Sequence, residues 1–259
     1  MFRKERLLGA GMVLGIVLFG ISPGGVAKAR ADSAADSQIE ASVRQTLDNK
    51  RFQNVSVSVH DANVTLTGTV QLYADKETAD GRVHHVKKVK GVDNEIQVAG
   101  PQISDGLLRD KLAKQLSYYT VGYGTTAFTA INLGVQNGVV TLSGTVYWPP
   151  DKDAAIGLAA STPGVKDIVD NIQVAPVSPM DDQLRLRLAR VIYGTPELQR
   201  YAIDPAKPIR IVVVNGNVTL TGVVDSKMDR DIAGIRANTV PGVFKVVNDL
   251  QVAAPQTGK

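Results

Sequence analysis

Val64-Thr65-Leu66-Thr67-Gly68 recurs as Val140-Thr141-Leu142-Ser143-Gly144 and again as Val218-Thr219-Leu220-Thr221-Gly222. Each copy alternates apolar and polar residues, the period of a half-buried strand, and ends on a glycine. From Gly68 to Gly144 is 76 residues and from Gly144 to Gly222 is 78. That spacing exceeds the period of solenoid repeats and matches a small domain, so the chain reads as three related modules.

Working outward, each copy is preceded by a second alternating stretch at a fixed offset: Val55, Val57 and Val59; Ile131, Leu133 and Val135; Ile209, Ile211 and Val213. Asp61-Ala62-Asn63, Asn137-Gly138 and Asn215-Gly216 lie between the two, residues suited to the positive φ of a tight hairpin. Further upstream, Asp36 precedes Ile39, Val43 and Leu47; Asp105 precedes Leu108, Leu112 and Leu116; Asp181 precedes Leu184, Leu188 and Ile192. A four-residue apolar spacing predicts one face of a helix, with the aspartate placed to cap its first amides. Downstream, Ala79, Val83 and Val86 predict a second helix, as do Ala155, Ala159 and Thr162, and Ala233, Ala237 and Val240. Its small-residue face permits close approach to a sheet. A third strand follows, carrying Val92, Ile96 and Val98 in the first copy, Ile168, Ile172 and Val174 in the second, and Val246, Leu250 and Val252 in the third. The expected fold class is α+β: three tandem α-β-β-α-β modules at 36–99, 103–175 and 180–253, each a small three-stranded sheet covered by two helices. In this reading the central glycine marks where a buried strand gives way to the connection toward the second helix.

Residues 1–31 read as a signal peptide. Arg3, Lys4 and Arg6 precede a 15-residue apolar run, Leu7 to Ile21, and Ala29-Arg30-Ala31 fits a small-x-small cleavage site. The expected location of the mature protein is the periplasm. That segment holds five of the 29 Lys and Arg and one of the 25 Asp and Glu, so the remainder carries 24 of each and is neutral. A nucleic-acid partner then lacks an electrostatic footprint. There is no cysteine, which excludes disulfides, thiolate metal sites and a cysteine nucleophile.

A module with an Asp-led first helix, a V-T-L-x-G strand and a Gly-Val 20 residues on resembles the BON domain, named after bacterial osmotically induced periplasmic and nodulation proteins. The resemblance covers residues 36 to 253 and rests on Gly68, Gly144 and Gly222 with Gly164-Val165 and Gly242-Val243. These five glycines are read as structural. Module one departs from the pattern, because Lys88 stands where the others have glycine. Positive φ would be strained there, and the corner is expected to be rebuilt around Gly91. The resemblance implies an exported, non-enzymatic module that associates with phospholipid or envelope components, tandem copies acting in stress tolerance and envelope integrity.

No catalytic, cofactor or metal site is predicted. The only histidines are His60, His84 and His85, read as solvated surface residues, and no G-x-S-x-G or S-x-x-K context occurs. The pairs Asp151/Asp153 and Asp181/Asp182 stand at helix starts, where carboxylates favour the helix dipole.

Candidate contacts concentrate in module two. Tyr118, Tyr119, Tyr123 and Phe128 occupy its long connector, and Tyr147-Trp148-Pro149-Pro150 joins its second strand to its second helix. Trp and Tyr suit a membrane interface, having an apolar body and a polar tip. Packing over the module's own core or a neighbour accounts for the same aromatics. Arg109, Lys111 and Lys114 form one basic group, and Arg82, Lys87, Lys88 and Lys90 a second, with Arg185, Arg187 and Arg190 in module three alike in character. Each reads as an anionic-surface contact or as an ordinary solvated face. Two functions follow: peripheral binding to phospholipid or the membrane surface, or a scaffold or chaperone-like holdase for envelope proteins and unfolded clients, with three modules adding weak sites.

Overall fold

The computed structural model describes residues 23–119, 126–204 and 208–254. The first module runs α1 (Pro23–Thr46), β1 (Val55–His60), β2 (Asn63–Val70), α2 (Tyr73–His84), β3 (Gly91–Asn94) and β4 (Gln97–Val98). The second runs α3 (Asp105–Tyr119), β5 (Ala130–Gln136), β6 (Val139–Val146), α4 (Pro149–Ala160) and β7 (Asp167–Val174). The third runs α5 (Pro179–Tyr193), α6 (Arg200–Ile203), β8 (Arg210–Val214), β9 (Asn217–Thr221), β10 (Val223–Val224), α7 (Lys227–Asn238), β11 (Lys245–Asn248) and β12 (Gln251–Val252). This is the expected α+β architecture three times over.

In the main sheet of each module the V-T-L strand is central. Its hairpin partner pairs antiparallel, as Val57 opposite Leu66, and the strand after the second helix pairs parallel, as Val140 opposite Ile168. Central position explains the composition, since Val64, Leu66, Val140, Leu142, Val218 and Leu220 are all fully buried. The two helices cover one face, with Ala79, Ala155 and Ala233 enclosed against the sheet. Burying a side chain such as Leu188 or Ile192 contributes about 1.5–3 kcal/mol.

The three helix-leading aspartates do not act as N-caps. α1 begins upstream of Asp36, and α5 is capped by Ser178, whose hydroxyl accepts from the Asp181 amide. Each carboxylate instead accepts both amides at the tip of its module's hairpin: Asp61 and Ala62 donate to Asp36 at 3.0 and 2.9 Å, Asn137 and Gly138 to Asp105 at 2.7 and 2.9 Å, Asn215 and Gly216 to Asp181 at 2.8 and 2.9 Å. The physical reason lies in the turn. Both tip residues have positive φ, the mirror-image turn that matches strand twist, and it leaves two adjacent amides unpaired. One carboxylate satisfies both, tying the first helix to the hairpin.

The central glycines also differ from expectation. β2 and β6 run on past Gly68 and Gly144 to Val70 and Val146, so the glycine sits within the strand; only in module three does β9 stop, at Thr221. The φ values are +105°, +112° and +126°, and a Cβ would meet a backbone oxygen of Asn54, Ala130 or Pro208 at 2.0–2.6 Å. Lys88 adopts φ 72° in place, matching Gly164 at 99° and Gly242 at 96°, and the corner is not rebuilt around Gly91.

A second aspartate recurs seven residues after each central glycine, and each ties the second helix to the connector before the first strand. Asp75 pairs with Arg51 at 3.3 Å, Asp151 accepts from the Thr129 hydroxyl at 2.9 Å, and Asp229 accepts from Tyr201 at 2.8 Å and from Arg200. Asp151 therefore does more than favour the helix dipole.

Successive modules touch. Tyr73 of module one packs against the core of module two, and Phe128 of module two packs against the core of module three.

Candidate membrane-facing surface

Parallel pairing of β6 and β7 brings their C-terminal ends together, Val146 opposite Val174. Two apolar segments are thereby set side by side: Trp148-Pro149-Pro150 after β6 and Ala175-Pro176-Val177 after β7. They line a groove of about 280 Å³ with Tyr147 at its inner edge. Trp148 is extended, φ −117° and ψ 140°, at the N-cap position of α4 with proline at the first helical position, where the missing amide costs nothing. Its side chain makes no capping bond and is 54% exposed; Val177 is 97% exposed and Met180 81%.

The aromatics divide between this surface and a seam. Tyr147 is half-buried, edge-on to Phe128 at 6.5 Å and beneath the guanidinium of Arg185 at 4.6 Å. Phe128 and Tyr147 thus fill the junction of modules two and three, while Trp148, 6.0 Å from Tyr147, continues the cluster outward. Tyr123 and the side chains of Tyr118 and Tyr119 lie outside the described residues.

The basic groups separate likewise. Arg109 is paired to its neighbour Asp110 at 3.0 Å, whereas Lys111 and Lys114 project exposed from α3. Arg82 is occupied in packing: it lies 5.6 Å over the Phe52 ring and donates to the Thr46 carbonyl. Lys87, Lys88 and Lys90 are exposed at the hairpin end of module one, where the Lys90 amide donates to Ala62. Trp148 instead lies at the end of module two opposite its hairpin. Arg185 is not on a solvated face. It is 2% exposed, donating to Asp182 at 2.5 Å and to the Val213 carbonyl at 2.6 Å.

Sequence reasoning missed the contribution of Val174, Pro176 and Val177, which it read as linker and strand end. A Pro-rich linker that also carries an exposed valine is the signal that was available. Among the described residues no His, Asp and Glu cluster could hold a metal ion, and no helix is long and apolar enough to cross a membrane.

The profile of the BON domain matches residues 35–100, 104–176 and 195–254. The chain belongs to the BON domain family. A 164-residue stretch, 62% of this chain, is 27% identical to Osmotically-inducible protein Y of Escherichia coli K12 and covers 78% of it. Among solved structures, CdsD, a structural protein of the type III secretion system of Chlamydia trachomatis, aligns at 15% identity over 83% of this chain and 92% of that one, with a TM-score of 0.23. The C-terminal domain of CdsD aligns at 18% identity over 86% and 98%, with the same TM-score. At that TM-score neither overlay bears on this BON protein's fold.

Proposed function

We propose that this BON protein is exported to the periplasm through a cleavable N-terminal segment and there binds a phospholipid surface peripherally, without enzymatic activity or cofactor. The observation that carries the reading is the exposure of Trp148 and Val177 on the lining of one groove. Such a ridge inserts at headgroup depth, and each lysine that reaches an anionic surface adds about 1 kcal/mol. Affinity is then modest and reversible. The similarity to an osmotically inducible protein supports a role in envelope stress tolerance.

Flotation with liposomes of phosphatidylethanolamine and phosphatidylglycerol tests this. The wild-type chain is expected to float, and Trp148→Ala with Val177→Ser to float markedly less while melting at the same temperature. Equal flotation of the two would remove the ridge from the mechanism.

One observation favours a second reading, a chaperone-like scaffold: module three exposes Phe244 at 82% along with Met228 and Ile235. Suppression of client aggregation that survives loss of the Trp148 ridge would support it.

A further inference from the structure

β5 and β8 are the outer strands of two different sheets, and they approach one another without joining into one. Between them lies a cavity of about 440 Å³, walled by Arg210, Asn132, Thr221, Asp249 and Gln251. Arg210 opens β8. Alternation along that strand sends Ile211 and Val213 into the core of module three and turns Arg210 toward module two.

Its environment is unusual for a cation. The Nε is shut off from solvent without a hydrogen-bond partner, and Arg210 forms no ion pair with any described residue. Burial holds its pKa below the ordinary guanidinium value, opposed only by the phenol of Tyr193. That phenol donates its own hydrogen to the Ile209 carbonyl at 2.5 Å. A half-buried guanidinium whose enclosed Nε–H has no partner is destabilising, and an apolar residue of similar size would fill the position at lower cost. The buried Arg185, by contrast, is matched by Asp182 and the Val213 carbonyl.

We propose that the cleft between modules two and three binds a small phosphate-bearing molecule, with the Arg210 guanidinium as its anchor. The planar donor fork fits phosphate oxygens, and the hydroxyl of Thr221 and the amides of Asn132 and Gln251 supply further donors on the same walls. The volume exceeds what a bare carboxylate needs. Asp249, also on the wall, disfavours a polyanion and favours a monoanionic diester or one carrying an ammonium group. The site exists only where the two modules meet, so occupancy also braces their junction. It is independent of the Trp148 ridge.

The test uses the full chain, with Arg210→Leu as the variant and inorganic phosphate, glycerophosphoethanolamine and phosphatidylethanolamine vesicles as probes. Nitrogen-15 spectra of the arginine Nε–H groups and melting temperatures are the readouts. The Arg210 Nε–H signal is expected to move, and the melting temperature to rise, with phosphate or glycerophosphoethanolamine. Arg210→Leu is expected to melt no lower than the unliganded wild type and to bind at least about tenfold more weakly. Vesicle binding that is lost in the variant identifies a lipid headgroup as the source; soluble-probe binding alone identifies a free solute. An unmoved Nε–H with both soluble probes, undiminished affinity in Arg210→Leu, or a lowered melting temperature of the unliganded variant would overturn the assignment.

Discussion

The guanidinium of Arg185, enclosed on the first helix of module three, lies 4.6 Å over the ring of Tyr147 at the end of the second strand of module two. A desolvated cation–π contact of this kind contributes about 2 kcal/mol, and here it adds to the packing of Phe128 on the module-three core. Tyr147→Leu keeps the apolar area and loses the ring face. It should destabilise the chain by about 1–2 kcal/mol and speed proteolysis between Ala175 and Ser178. Unchanged cleavage there would mean the junction is held elsewhere.

The aspartate that leads each first helix binds a hairpin rather than a helix end. Asp181 is 3% exposed and accepts the Asn215 and Gly216 amides, so Asp181→Ala strands one buried and one part-buried donor. A loss of about 3 kcal/mol in urea denaturation is expected, against about 1 kcal/mol for removing the cap proper in Ser178→Ala. If the two variants cost the same, the hairpin contact adds nothing beyond capping.

Lys88 holds φ 72° where its counterparts Gly164 and Gly242 carry no Cβ. Lys88→Gly should raise stability by up to about 1 kcal/mol, the relief of left-handed strain less the entropy of glycine in the unfolded chain. Thermal melting of module-one probes checks it, and a lowered midpoint would show that Lys88 makes a compensating contact.

Two carboxylates should leave an acid signature. The hydrogen bond from Lys152, 2.6 Å away, holds Asp170 below the usual carboxylate range, despite some desolvation. At Asp229 burial acts to raise the carboxyl, but bonds from Tyr201 and Ser226 with the charge of Arg200 outweigh it, and the net shift is downward. A folded pKa below the unfolded one confers stability that is present above the ordinary value, about 3.9, and lost as pH falls through the folded value. The urea midpoint should therefore fall below about pH 4, and less steeply in Asp170→Asn and Asp229→Asn than in the wild type. Identical slopes would assign acid sensitivity to other groups.

Much of this molecule was legible because its core is periodic. Val64, Leu66 and Val70, with Ile39, Val43 and Leu47, announce strand and helix by spacing alone, and all six are buried. Asp36 was misread because a local pattern, aspartate before an apolar helix, also describes a cap; its true partners, Asp61 and Ala62, lie 25 and 26 residues away. Lys88 was misread because a conformational preference is weaker than the packing of its neighbours Val86 and Val89 on the module-one core. The surface was less legible still. Trp148 stood out by residue type, but its neighbours Val174 and Val177 reach it only through the parallel pairing of β6 and β7, a contact that no local pattern encodes. Phe128 and Tyr147 looked equivalent to Trp148 along the chain, yet intermodule packing draws them inward.

The chain's single tryptophan is Trp148, so its emission reports on the proposed surface alone. Purified mature protein titrated with phosphatidylglycerol-containing liposomes should show a blue-shifted emission maximum that diminishes at high salt, as the exposed indole enters the headgroup region of an anionic surface. An emission maximum that stays where it was in buffer, with the protein left behind when the liposomes float, would contradict membrane binding through this surface.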